Sequence, residues 1–411
     1  MAVVTTRCCI VGGGPAGMML GLLLARAGVP VMVLEKHADF LRDFRGDTVH
    51  PSTLEVLHEL GLLEAFLQRP HDKAYDLHVD VGEARATFAD FRRLRARCGF
   101  IAMVPQWEFL DFLRDAAASF AGFRLLLGAR AEGLLEEDGR VRGVRALTSE
   151  GPLEIRADLV VGADGRGSTL RDAAALQVRD LGAPIDVLWL RIPRQAGDPV
   201  GSGGRIAAGR FLVMIDRGNY WQCAYVIRKG GIAAIQARGL PAFRQELSRI
   251  APLFVGRIEE ALPGWDAVKL LEVRVDRLER WWKPGLLCIG DAAHAMSPIG
   301  GVGINLAVQD AVAAANILWA PLADPQVRDA TPWLAQVQQR RLWPARITQA
   351  VQVAAQDRLL GPILEGAAPP RMPTALRLLQ RFPALRVLPA YAVGMGVRPE
   401  HVRSPRLGAA A

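Results

Sequence analysis

An α/β fold is predicted by three features: a strand–turn–helix–strand unit at the N-terminus, alternating strand-like runs in the middle, and long apolar helical stretches towards the C-terminus. Arg7-Cys8-Cys9-Ile10-Val11 reads as a short buried strand. Met18 to Ala27 reads as a helix ended by the turn Gly28-Val29-Pro30, and Val31-Met32-Val33-Leu34 is the next strand. Leu54, Leu57, Leu60 and Leu63 recur at helical spacing and predict one helix from Thr53 to Phe66, and Glu108 to Phe120 is amphipathic in the same way. Val141 to Leu147 follows the turn signal Asp138-Gly139 and is expected in a hairpin, and Leu159-Val160-Val161 is a buried strand running into Gly162-Ala163-Asp164-Gly165. After Arg171 the texture changes. Runs at 185–192, 210–216 and 219–228, separated by turns such as Asp216-Arg217-Gly218-Asn219, predict antiparallel sheet. A helix near 241–250 and a strand near 268–275 follow, and helical texture returns at 303–358, interrupted by Pro321, Pro325, Pro332 and Pro344.

Composition narrows the function classes. With 411 residues, 51% of them hydrophobic and 22% charged, the chain can bury a sizeable core. Its net charge is +8, but the arginines are spread along the chain without a basic run, so a small phosphate-bearing anion is a better reading than nucleic acid. Five cysteines with no C-x-x-C pair indicate neither a disulfide framework nor a zinc site, and no metal is expected. Residues 8–34 are apolar enough to imitate a membrane anchor, but Arg26 and the break at Gly12-Gly13-Gly14-Pro15 favour strand, turn and helix. No other stretch is read as a membrane span, so a soluble cytoplasmic protein is expected.

The chemistry begins at Gly12-Gly13-Gly14-Pro15-Ala16-Gly17. Gly12 permits a sharp turn after the strand, Gly14 lets a pyrophosphate approach the backbone, and Gly17 lets the helix pack on the sheet. The helix starting at Pro15 and Ala16 offers free N–H groups and the positive end of its dipole. Glu35, with Lys36 beside it, ends the second strand, where a carboxylate can accept hydrogen bonds from ribose hydroxyls. This pattern says dinucleotide without separating FAD from NAD. Further on, Leu286-Leu287-Cys288-Ile289 is an apolar strand delivering Gly290-Asp291, where Asp291 either meets a cofactor hydroxyl or caps the next helix. Pro298-Ile299-Gly300-Gly301-Val302-Gly303 then leads into a helix starting near Ile304 and Asn305. His294 reads as a core histidine rather than a proton carrier.

Asp158 to Arg171 and Leu287 to Asp310 resemble two signatures of the FAD-dependent aromatic hydroxylases, the 4-hydroxybenzoate hydroxylase-like flavoprotein monooxygenases, in family order. The resemblance runs from the N-terminus to at least Asp310. It implies a Rossmann-like FAD-binding domain interrupted by an antiparallel-sheet substrate domain, with C-terminal helices. On that plan residues 1–76, 99–176 and 276–365 form the FAD-binding parts, 77–98 and 177–275 the substrate domain, and 366–411 a C-terminal helical tail. The implied cofactor is FAD, with NADH or NADPH as a transient co-substrate. One G-x-G-x-x-G turn suits such a passing nicotinamide. The implied reaction carries oxygen from O2, through a flavin hydroperoxide, to a small aromatic or otherwise electron-rich substrate. Asp164 and Gly165 are implied to organise FAD and the passing nicotinamide, and Gly290 and Asp291 to bind the ribityl chain. Arg45, in Asp43-Phe44-Arg45-Gly46-Asp47, and Gln106, in Val104-Pro105-Gln106-Trp107, match cofactor contacts; the plainer readings are a surface arginine and a helix cap. Pro298, Gly301, Gly303, Ile304 and Asn305 are expected near the flavin ring, where a helix N-terminus stabilises negative charge.

The substrate is then expected between the flavin and the antiparallel sheet. Val187, Trp189 and Arg191 share one face of their strand, and Tyr220, Gln222 and Ala224 share a face opposite Trp221, Cys223 and Tyr225. Which face lines the pocket stays open; Trp189, Arg191 and Gln222 are the substrate candidates, and no side chain stands out as a catalytic base. A halogenase of the same fold carries tryptophans where Leu188 and Leu190 stand here. A flavin reductase shares the early motifs, and a non-catalytic binding protein of related fold would need no working flavin site. A homodimer is compatible with the sequence and not required by it.

Overall fold

The computed structural model describes residues 2–41, 48–199, 201–207, 209–365 and 372–407, so Arg45 lies outside the described residues. Ala2–Val11 is longer than its apolar run because it pairs in parallel with Gly151–Gly162 along its length, from Ala2 opposite Leu153 to Val11 opposite Gly162. On its other side Cys8 to Val11 pairs with Val31–Glu35, which in turn pairs with Phe123–Leu127. Leu286–Cys288 extends the sheet beyond Gly151–Gly162. These strands are parallel, so the turns after Val11, Glu35, Gly162 and Cys288 gather at one edge, where open α/β sheets bind ligands. Arg130–Glu137 and Arg140–Thr148 form an antiparallel meander leading into Gly151–Gly162, as the Asp138-Gly139 turn requires.

Pro15–Arg26 is buried almost all round, because the sheet, Gln106–Ala118 and Gly303–Ala323 surround it. The opposite sheet face, with Cys9, Val11, Met32 and Leu34, is covered by Val141, Val144 and Ala146 of the meander.

A second sheet has seven strands in the order Lys269–Leu271, Ile185–Pro193, Tyr220–Arg228, Arg210–Asp216, Gly203–Ala207, Asp76–Val81 and Ala84–Asp90. All neighbours are antiparallel except Gly203–Ala207 with Asp76–Val81. Leu188, Leu190, Ile192, Trp221, Cys223 and Tyr225 are buried beneath Leu240–Ile250. The other face carries Val187, Trp189, Val213, Ala224 and Val226, which pack in one cluster with Ile299 and Val353.

Four expectations need correction. Thr53 to Phe66 is two helices, Pro51–Glu59 and Leu63–Leu67, because Gly61 between them has φ +72°. The strand at 268–275 is only Lys269–Leu271, since the Val273 N–H leaves the ladder and donates to Asp186 Oδ1 at 2.9 Å. Pro321 and Pro344 interrupt nothing and lie inside Gly303–Ala323 and Thr331–Ala355, where packing outweighs the lost backbone bond. Finally, Ile299–Ala323 is long and apolar enough to cross a membrane, but most of it is buried as the central helix of the fold.

The C-terminal region forms Thr374–Arg381 and Val387–Gly394, followed by an irregular tail pinned to Gly303–Ala323 by Asn316, whose amide bonds His401 O and Arg403 N.

Candidate functional site

The three glycine-bearing segments meet at the edge of the parallel sheet. Gly12 has φ +107°, and a Cβ there would stand 2.3 Å from Ala163 O. Gly290, at φ +59°, brings the end of Leu286–Cys288 so close to the first helix that a Cβ would lie 3.1 Å from that of Ala16. Gly17 is equally tight, its Cβ position falling on Gly12 O, whereas nothing lies within 4 Å of the Cβ position of Gly14. Gly14 is also the N-cap of Pro15–Arg26 and no side chain among the described residues caps that helix, so its first N–H groups have no side-chain acceptor there. Glu35 borders the same turn: its Oε2 accepts from Gly13 N at 2.9 Å and its Oε1 from His37 N at 3.1 Å. Lys36 is exposed and shares a shallow depression with His37, Gly128 and Arg130.

Asp164 and Asp291 take different parts. Asp164 Oδ1 accepts from Ser168 Oγ at 2.5 Å and Oδ2 from Leu170 N at 3.3 Å, which shapes the loop carrying Gly165. Burial pushes its carboxyl above the ordinary value, partly offset by those donors. Asp291 caps no helix; its Oδ2 accepts from Arg166 Nε at 3.0 Å. Arg166 also reaches Met296 O at 3.4 Å, and its Nη1 is buried without a partner among the described residues. A guanidinium N–H held next to Asp291 with nothing to bond is a donor prepared for an oxygen-rich ligand. The open cradle over Gly14, the uncapped helix and this free donor all fit FAD.

His294 is a core residue, with Nε2 2.6 Å from Asp310 Oδ2 and its ring 4.8 Å from that of Trp281. The same Asp310 oxygen accepts from Gly290 N at 3.0 Å.

At the far end, Pro298 precedes the turn Ile299–Gly301, and Gly303–Ala323 begins without a side-chain cap among the described residues. Thr48 Oγ1 donates to Gly301 O at 3.1 Å and lies 3.2 Å from His50 Nε2. Ile304 is buried; Asn305 Oδ1 accepts from Ser52 Oγ and from Thr53 Oγ1, while its buried Nδ2 has no partner among the described residues. Gln106 is the first residue of Gln106–Ala118, and no side chain among the described residues caps that helix, so the capping reading fails. Trp189 packs in the cluster that contains Ile299. Gln222 is buried and accepts from Arg217 Nε at 3.3 Å, and Arg191 sits 5.0 Å over the Tyr220 ring at the open end of its strand.

Arg166, Asp310 and the Thr48–His50 pair were not singled out from the sequence. Arg166 lies within the segment that carries the resemblance, so position was the available signal. Asp310 ends the other such segment, and Thr48 and His50 are marked only by their contacts with Gly301 and Val393.

Comparison with known proteins gives the same picture. The family model described as an FAD binding domain matches residues 5–336. The 6-methylpretetramide 4-monooxygenase of Streptomyces rimosus is 33% identical over 392 residues, covering 93% of this chain and 90% of that one. The rifampicin monooxygenase of Streptomyces venezuelae is 31% identical over 324 residues, 75% of this chain and 62% of its own. The anhydrotetracycline hydroxylase OxyS of Streptomyces rimosus has the same fold, with a TM-score of 0.71 at 23% identity, over 95% of this chain and 76% of that one.

Proposed function

The chain belongs to the FAD binding domain family and is an FAD-dependent monooxygenase; from that premise we propose that it hydroxylates a polycyclic, electron-rich aromatic compound, with NADH or NADPH as electron donor. The observation that carries this reading is the similarity to an enzyme named for 6-methylpretetramide, which extends over 93% of this chain, the substrate-facing sheet included. On this reading residues 1–76, 99–176 and 276–365 hold the cofactor, 77–98 and 177–275 cover the substrate, and 366–411 form a C-terminal part. Bound FAD would supply hydride acceptance and oxygen transfer.

The chain's own residues bind, orient and exclude water. The Gly14 turn and the N–H groups of Pro15–Arg26 would receive the pyrophosphate, Glu35 the adenosine ribose, and Asp291 with Arg166 Nη1 the ribityl hydroxyls. The N-terminus of Gly303–Ala323 would favour negative charge on the reduced ring, with Gly301 and Pro298 alongside. Trp189, Val213, Ala224 and Ile299 make that end apolar, which suits a flat multi-ring substrate and keeps water out. A cytoplasmic location belongs to the same reading, since all five cysteines are buried and free.

The test is NAD(P)H oxidation under isotopically labelled O2 with four-ring phenols and single-ring phenols in parallel. Stimulation by the four-ring compounds and one labelled oxygen atom in the product are expected. Stimulation by single-ring phenols alone would reject the substrate class.

A further inference from the structure

The cofactor cleft leaves the outer face of the C-terminal helices unexplained. Thr374–Arg381 lies on the strand Ala84–Asp90, with Gln380 Nε2 donating to Thr87 O at 2.7 Å. Val387–Gly394 covers the end of the same strand and buries Ala390 against Ala89, Phe91 and Leu94. Their inner faces are therefore satisfied. Outward, Leu378, Phe382, Leu385, Leu388 and Tyr391 are 50%, 52%, 37%, 65% and 48% exposed. A water-facing surface has no use for five large apolar side chains so close along the chain, and a helix apolar on its inner and outer sides calls for a second apolar neighbour.

Charge says what kind of neighbour. Residues 366–399 contain five arginines and no Asp or Glu. Arg377 and Arg386 bond a hydroxyl, a carbonyl and an amide rather than carboxylates. Arg381 is exposed between Leu378 and Phe382. Tyr391 shares a depression with Arg95 and Arg97, where Glu55 is the acidic group. An isologous pair of copies would set these arginines against themselves. An anionic bilayer offers both the opposite charge and an apolar boundary.

We infer that this face docks the protein peripherally on an anionic lipid bilayer. Leu378, Phe382, Leu385 and Leu388 enter the headgroup boundary, while Arg377, Arg381, Arg95 and Arg97 meet lipid phosphates.

The experiment is co-sedimentation of the FAD-loaded full chain with vesicles of phosphatidylcholine alone, or of phosphatidylcholine and phosphatidylglycerol in equal parts. Binding to the anionic vesicles only, weakened by salt, is expected. Arg377→Gln with Arg381→Gln should weaken it about fivefold per arginine removed. Leu378→Gln with Leu388→Gln should abolish it, and both double variants should keep their flavin absorbance and NAD(P)H oxidation. Absence of binding to anionic vesicles, or binding that survives both double variants, would overturn the inference. So would a concentration-dependent dimer that Leu378→Gln with Leu388→Gln dissolves, which would assign the face to a second copy.

Discussion

His50 shows how a single residue supports the site from behind. It is fully buried, with Nδ1 2.8 Å from Val393 O and Nε2 3.2 Å from the Thr48 hydroxyl that holds Gly301. Burial lowers its pKa to about 4, against the smaller raising effect of the carbonyls of Val393 and Gly301. The folded value lies below the ordinary 6.5, so the folded state disfavours the protonated ring. Stability from this group is complete above pH 6.5 and declines as the pH falls towards 4, by on the order of 3 kcal/mol. Melting temperatures across that window should therefore fall less steeply for His50→Gln than for the parent protein; equal slopes would show that the ring is not held neutral. Residues such as Gly12, Glu35 and Asp291 were legible because each lies in a local strand–turn pattern. Arg166 was not, because composition spreads arginine everywhere and only folding sets it beside an aspartate 125 residues away.

Elements are joined by a buried charge chain. Asp310 on Gly303–Ala323 takes hydrogen bonds from Gly290 N, His294 Nε2 and Arg341 Nε, the last at 2.9 Å from Thr331–Ala355. Arg341 Nη1 continues to Glu400 in the C-terminal tail at 3.2 Å. Burial alone would raise the Asp310 carboxyl, but His294 and Arg341 hold it below its usual range. Arg341→Met should leave the buried Asp310 to His294 alone, with Glu400 still held by Arg340, and cost about 3–5 kcal/mol, seen in thermal unfolding together with earlier release of flavin. A loss below ~1 kcal/mol would mean that the pair is screened by solvent. Helix periodicity was readable up to the point where packing intervened. The leucine spacing at 54–63 continues across Gly61 because both short helices bury their leucines in one core, so the break is invisible to spacing. Proline signals misled for the opposite reason, since Pro344 is buried within a helix that its neighbours hold together.

Across the whole molecule, the five thiols are divided among several hydrophobic clusters and all are buried. Burial pushes Cys9 up to about 12 and raises Cys8, Cys98, Cys223 and Cys288 as well. The native protein should thus be silent to a thiol-reactive dye at neutral pH and show five equivalents after denaturation; a rapid native equivalent would contradict this burial. The same burial places most of Ile299–Ala323 inside the fold, although its length and apolarity alone match a membrane span. By itself the sequence determined the cofactor class and the general architecture, because glycine turns, strand alternation and helix starts depend on residues near one another in the chain. Only the tertiary structure decided that the Trp189 face of the second sheet, and not the Trp221 face, packs with the Ile299 turn. Both faces are apolar, so the choice rests on which helices cover each side, and that is settled by contacts between segments that are not neighbours in the chain.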